Sequence, residues 1–166
     1  AVGEFHYLHH QANGTAYDNL TEMSEQVMGA ANETGIAQTL LPVFYAQGGF
    51  GAAPINEHQK RFYNDVDSFQ KLVEQARATT KGRTIIGIAP HSLRAVTPES
   101  LQQVLAANPD YPIHIHIAEQ VKEVEDCLAN SGARSVQWLL DNAAVDEGWC
   151  LVHATHLDED EIAAMA

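Results

Sequence analysis

The sequence predicts an α/β protein built on a parallel sheet, and three observations carry that prediction. Strand-like and helix-like segments take turns about five times along the chain, the succession that gives parallel strands with right-handed crossovers. Segments such as TIIGIA and PIHIHIA are short apolar runs of the buried-strand type. Side chains capable of chemistry recur at the C-terminal ends of these runs, where α/β folds place their active sites.

Taken in order, Val2 to Leu8 is strand-like, and Leu20 to Thr34 has helical period and ends before Gly35, a favourable residue just past a helix. Ile36 to Tyr45 is a second strand, followed by the turn-rich loop QGGFGAAP, which lacks the spacing of a phosphate cradle and is read as lying near a substrate mouth. Asp67 to Thr80 reads as a helix and Thr84 to Ala89 as a buried strand. Thr97 can cap a helix that has Pro98 at its first position and runs to about Ala107. PIHIHIA is the fourth strand. Val121 to Asn142 is helical with a break around Ser131 and Gly132, and WCLVHA from Trp149 to Ala154 is the fifth strand. Asp158 and Glu161 have capping-box spacing for a last helix, so the acidic DEDE run reads as a favourable helix N-terminus.

An open doubly wound sheet and a (β/α)8 barrel both fit this succession. Five units cannot close an eight-stranded barrel, so a barrel would need three more.

Composition narrows the partners. The chain has 166 residues, 45% of them hydrophobic, enough to bury a core as one compact domain or part of a larger one. Lys and Arg number 9 against 22 Asp and Glu, for a formal charge of −13, which argues against nucleic acid or an anionic membrane as partner. An anionic ligand would have to be drawn by a local site. Cys127 and Cys150 form no CxxC pattern, so neither a disulfide framework nor a structural zinc knuckle is indicated, and a reducing cytoplasm fits. No apolar run approaches the roughly 20 residues that span a bilayer, and AVGEFHYLHH lacks the regions of a signal peptide.

In PIHIHIAEQ the alternation of a strand sends Ile113, Ile115 and Ile117 to one face and His114 and His116 to the other. One face is apolar and the other can bind something. Tyr7 near the end of the first strand, His91 and Arg94 after the third, His116 and Glu119 at the fourth, and His153 at the fifth all stand at equivalent ends. A lone strand histidine is more often a hydrogen-bonded core residue than a ligand, but several at equivalent ends reverse that preference. His6, His9, His10 and His58 read as structural or solvated.

The segments GEFHYLHH, APHSLRAVTPE, HIHIAEQ and VHATHLDE, in this order over almost the whole chain, resemble the formimidoylglutamate deiminases of the amidohydrolase superfamily. His-x-x-Glu on one strand with a histidine on the next recurs across superfamily deaminases; EFHYLHH and HSLRA are the specific signals. The resemblance implies a distorted (β/α)8 TIM-like barrel with one divalent metal, usually zinc, in a cytosolic homodimeric enzyme of histidine degradation. It implies hydrolysis of N-formimino-L-glutamate to N-formyl-L-glutamate and ammonia. By motif, His116 would be a metal ligand, Glu119 the proton shuttle and His153 the histidine beside the attacking water. Tyr7, His91 and Arg94 would hold the glutamyl portion of the substrate.

In the family, a His-x-His metal pair comes from the first strand and an aspartate ligand from the last, and both are expected to lie outside residues 1–166. The expectation is a partial barrel domain over residues 1–166, holding strands two to six, inactive in isolation. The residue chemistry is consistent with the resemblance. A zinc ion lowers the pKa of a bound water to about 7, a carboxylate three residues after the ligand can move its proton, and a guanidinium suits a substrate with two carboxylates. Two rival readings stand beside this one: a superfamily deaminase acting on a nucleobase-like substrate, and a non-catalytic α/β protein whose histidines are structural.

Overall fold

The computed structural model describes residues 1–166, and the elements follow the alternation read from the sequence. They are β1 (Val2–His6), α1 (Glu22–Thr34), β2 (Gln38–Phe44), α2 (Val66–Thr79), β3 (Thr84–Ile86), β4 (Ala89–Pro90), α3 (Pro98–Ala107), β5 (Ile113–Ile117), α4 (Val121–Ser131), α5 (Ser135–Asn142), β6 (Trp149–His153) and α6 (Glu159–Ala164). Two 3-10 turns, Glu57–Gln59 and Leu93–Ala95, sit in the connections. No helix is long and apolar enough to cross a membrane.

Every strand pair is parallel. β1 pairs with β2, β2 with β3 and then with β4, and β5 with β6, while a bridge from Ile88 to Ile113 joins the two halves. Spatial order therefore follows chain order. A doubly wound sheet reverses its strand order part way across and a barrel does not, so the sequential order decides for the barrel arrangement. Curvature is seen directly: the Phe5 ring of β1 lies 4.5 Å from the His116 ring of β5, although β2 and β3/β4 stand between the two strands.

The segment TIIGIA, expected as one strand, is two. In β2, Leu40 and Phe44 direct their carbonyls to this neighbour, accepting from Gly87 N at 2.9 Å and His91 N at 3.0 Å. Pro42 lies between them on the same side and has no N–H to give, so the ladder opens there. Gly87 fills the gap because a Cβ would stand 2.6 Å from the Pro112 carbonyl oxygen. The break lets the 88–91 backbone pair with β5, where His114 N donates to Ile88 O at 3.0 Å.

The strand alternation sorts two layers. Leu40, Phe44, Ile86, Ile88, Ile113, Ile115 and Ile117 pack outward against Phe69, Leu72, Val73, Leu101, Val104, Val124 and Leu139 of the helices. The concave face carries Leu41, Val43 and Ala89 with Phe5 and Tyr7 packed against them. Helix ends obey their local chemistry. Asp65 caps α2 through Ser68 N at 2.8 Å, Thr97 and Ser100 form a capping box on either side of Pro98 at the start of α3, and Gly35 and Gly132 close α1 and α4 at φ 73° and 81°.

The DEDE run opens α6 as expected, with Asp158 and Glu161 forming the capping box, and Glu161 is in addition buried, at 1% exposure. Its carboxylate accepts from Arg134 Nε at 2.9 Å, from Val136 N at 3.2 Å and Gln137 N at 3.3 Å at the start of α5, and from Asp158 N at 3.1 Å. One side chain thereby ties α6 to α5. Glu161→Ala removes one of two carboxylates from Arg134, which keeps Asp158 Oδ2 at 2.9 Å and the His156 carbonyl, and it leaves two α5 N–H groups without their acceptor, so unfolding stability is expected to fall by about 3 kcal/mol. Urea titration reads this directly; a loss below about 1 kcal/mol would reduce the cluster to an ordinary surface ion pair.

Candidate functional site

Each candidate side chain is positioned by the C-terminal end of a strand. Tyr7 follows β1, His91 follows β4, Arg94 lies in the 3-10 turn after it, His116 is the fourth residue of β5, Glu119 follows β5, and His153 ends β6. The imidazoles form a chain, with His91 stacked on His116 at 5.2 Å between ring centroids and His116 at 5.5 Å from His153. Tyr7 meets the edge of His91 at 5.7 Å. His153 Nε2 stands 3.8 Å from Glu119 Oε1, too far for a hydrogen bond and close enough for both to face one small molecule.

His116 is held twice by one carbonyl. Its backbone N–H donates to His91 O at 3.0 Å, and its ring Nδ1 lies 3.2 Å from the same oxygen. A carbonyl can only accept, so Nδ1 carries the proton and Nε2 keeps its lone pair, for which the protein offers no partner. A ring N–H given to a backbone carbonyl, with the other nitrogen free, is the arrangement of a metal-ligating histidine. Burial pushes the His116 pKa down, which keeps the ring neutral as a ligand must be. The chain nevertheless assembles no group of three His, Cys, Asp or Glu side chains able to hold a metal ion. The residues present fit one ligand, not a complete set.

His91 is more buried, and that burial, with the neighbouring His116 and the Arg94 charge, pushes its pKa down to about 3. It is a neutral hydrogen-bonding group at any physiological pH. Burial raises the Tyr7 pKa, so the phenol keeps its proton. The Arg94 guanidinium takes part in no hydrogen bond or ion pair within the protein; only its backbone carbonyl is used, by Gln47. Its charge acts on Tyr7, His91 and His116, favouring their less positive forms. A half-buried cation without a counter-ion, beside a phenol and a neutral imidazole, is suited to a carboxylate.

Backbone strain gathers at the same place. Ala118 has φ 49°, His153 φ 70° and Ala154 φ 44°, left-handed conformations uncommon outside glycine and found disproportionately at functional sites. The two strand ends are laced together, since Ala154 N donates to Ile117 O and both Thr155 N and His156 N donate to Ala118 O.

The remaining histidines sit elsewhere. His9 is buried with Nε2 at 2.9 Å from Val43 O, His10 reaches Tyr63 O, His6 packs edge-on to His9 at 5.4 Å, and His58 is exposed. His114 shares the concave face with His116 but lies two residues further from the strand end, edge-on to Phe5 at 5.8 Å. The glycine loop lines a side cavity of about 430 Å³ with Leu93, Cys127 and Trp138, and none of the six candidate residues borders it. The chemistry lies on the open concave face, not in that cavity.

Sequence reasoning missed Tyr45, Phe62 and Glu123. Tyr45 packs 4.9 Å from His91 and receives a hydrogen bond from Gln59 Nε2 at 2.9 Å, and Phe62 lies 5.5 Å from Tyr7. Tyr45 follows β2 directly, so the strand-end rule that found the others could have found it. Phe62, in a long connection, carried no such signal.

The model of the Amidohydrolase family matches residues 9–166. Formimidoylglutamate deiminase of Pseudomonas aeruginosa is 51% identical over 168 residues, covering 100% of this chain and 37% of the relative. The crystal structure of an amidohydrolase from Brucella melitensis superposes with a TM-score of 0.95 at 55% identity, covering 98% of this chain and 37% of that one. A variant of atrazine chlorohydrolase from Arthrobacter aurescens TC1, complexed with zinc and atraton, shares the fold with a TM-score of 0.76 at 18% identity, over 98% of this chain and 35% of that one. The chain thus spans little more than a third of the length of the proteins it matches.

Proposed function

The chain belongs to the amidohydrolase family, and from that premise we propose that it is the central, site-bearing part of a TIM-barrel enzyme that hydrolyses N-formimino-L-glutamate to N-formyl-L-glutamate and ammonia. The observation that carries this reading is the unpaired Arg94 guanidinium standing with Tyr7 and His91 next to the His116, Glu119 and His153 cluster. One half of the site suits an anionic glutamyl group and the other suits hydrolysis. The 51% identity to formimidoylglutamate deiminase supports the same substrate.

In this reading His116 contributes Nε2 as one protein ligand of a divalent cation, zinc as in the atrazine chlorohydrolase structure, and the other ligands come from parts of the enzyme outside this segment. The cation, when bound, lowers the pKa of a water to about 7 and so supplies a nucleophile at neutral pH. Glu119 takes a proton of the water that adds to the formimino carbon and passes it to the terminal nitrogen, and then takes the proton of the hydroxyl so formed and passes it to the same nitrogen as the carbonyl forms. That nitrogen leaves as ammonia when the C–N bond breaks, and the carbon keeps the oxygen as a formyl group. His153, 3.8 Å from Glu119, hydrogen-bonds the oxygen as charge gathers there in the tetrahedral intermediate. Tyr7 and His91 donate hydrogen bonds to the glutamyl group and Arg94 pairs with a carboxylate. A cytosolic homodimer acting in histidine degradation completes the proposal.

The test is release of ammonia from N-formimino-L-glutamate by the whole enzyme, with guanine as the comparison substrate. Turnover of the first and not the second is expected. Turnover of guanine alone would transfer the His116, Glu119 and His153 chemistry to a nucleobase deaminase.

A further inference from the structure

Glu123 is the third residue of α4, a place where a glutamate usually faces water, yet it is 5% exposed. Both carboxylate oxygens are engaged by the chain that leaves β5: Oε1 accepts from Ala118 N at 3.0 Å and Oε2 from Glu119 N at 2.8 Å. This is not ordinary helix capping. In a capping box the third helical residue reaches back to the N-cap N–H, and here that residue is Gln120, whose side chain caps nothing. Glu123 passes over it to the two residues before.

Those two residues carry the chain out of β5 beside the site. Ala118 has φ 49°, a conformation that an alanine holds only when its surroundings impose it. The carbonyl of the same residue accepts from Thr155 N at 3.1 Å and His156 N at 3.0 Å, which anchors the chain just after His153. The amide side of the turn is fixed by Glu123 and the carbonyl side by the β6 loop.

We infer that Glu123 is a positioning residue: its buried carboxylate clamps the Ala118 and Glu119 amides, imposes the left-handed turn, and so aims the Glu119 carboxylate at the reacting atoms beside His153. The inference rests on the proposed shuttle role of Glu119 and adds a second acid that never touches substrate. Glutamine at this position keeps the shape and one acceptor oxygen but turns an amide N–H₂ toward a backbone N–H. The turn then loses one of its two anchors and gains a clash of donors.

The experiment is a double-mutant cycle in the whole enzyme with Glu119→Gln, Glu123→Gln and the combination, reading kcat, KM for N-formimino-L-glutamate and metal content. Glu123→Gln is expected to lower kcat about ten- to a hundredfold through misplacement of the shuttle, with KM and metal content close to native. In the Glu119→Gln background it should take nothing further from the residual rate, because a residue acting only through Glu119 has nothing left to aim. An unchanged kcat, or the same fractional loss in both backgrounds, overturns the inference, the latter by making Glu123 a support of the fold at large. Amide hydrogen exchange at Ala118 and Glu119, faster in Glu123→Gln, tests the clamp without any turnover; unchanged protection overturns it. Native kcat in Glu119→Gln would instead sink the shuttle reading, and the exchange data would still decide the clamp.

Discussion

Glu119→Gln in the whole enzyme is expected to lower kcat for N-formimino-L-glutamate about a hundredfold or more at neutral pH while leaving fold and metal content intact. The amide is nearly isosteric with the carboxylate, and the backbone hydrogen bond from Glu119 N to Glu123 survives the change, so the side chain should stay where it is. What disappears is the ability to accept a proton and give it back. Steady-state ammonia release with elemental analysis of the same sample checks both halves. Near-native kcat would remove Glu119 from the proton path. His116→Ala separates the two roles, since losing the Nε2 ligand should lower metal content together with activity, and normal stoichiometry there would exclude His116 as a required ligand.

Much of the fold was legible in the sequence because local rules and tertiary packing agree. IHIHI reads as one apolar and one imidazole face because strand period is two, and both faces are used as read, with Ile113, Ile115 and Ile117 buried and His114 and His116 half-buried. Thr97 and Pro98 start α3 where the capping chemistry puts it, and Gly132 ends α4 at the expected break. The β/α alternation alone did not choose between an open sheet and a barrel, since both wind the same units and only spatial strand order tells them apart; the resemblance carried by GEFHYLHH, APHSLRAVTPE, HIHIAEQ and VHATHLDE pointed to the barrel, and the strand order agrees. The division of TIIGIA into β3 and β4 was hidden for a related reason: the donor that is missing belongs to Pro42, on a different strand.

The site shows the same limit in sharper form. Strand ends announce Tyr7, His91, His116 and His153, whose position follows from their own segment. Glu123 and Glu161 stand in the first turns of helices, where an acid normally faces water and favours the dipole. Their burial is imposed by partners that the local pattern does not contain: a left-handed turn at Ala118 in one case, and Arg134, 27 residues away, in the other. A buried acid that satisfies distant amides looks identical, in sequence, to a solvated one.

Arg94→Met in the whole enzyme is expected to lower kcat/KM for N-formimino-L-glutamate about ten- to a hundredfold or somewhat more, without loss of metal. An arginine just beyond a strand can be a solvated surface residue, and two observations speak against that here. It lies half-buried in the Leu93–Ala95 turn, and its charge reaches Tyr7, His91 and His116 while no acid of the protein pairs with it. In a chain of formal charge −13, an unpaired guanidinium beside Tyr7 and His91 would give an anionic substrate the local attractor it requires. Methionine keeps much of the aliphatic stem and removes the charge and the fork of donors, so packing is preserved and the contact is lost. A hydrogen bond to a charged group contributes roughly 1.5 to 3 kcal/mol, which sets the expected factor. The control is a formimino compound without the α-carboxylate. It should be a poor substrate of the native enzyme, and Arg94→Met should cost it little more, because the group that Arg94 binds is already gone. Equal losses on both substrates would mean that Arg94 supports the fold or the chemistry in general, and the assignment of a glutamyl substrate would then lose the residue on which it leans most.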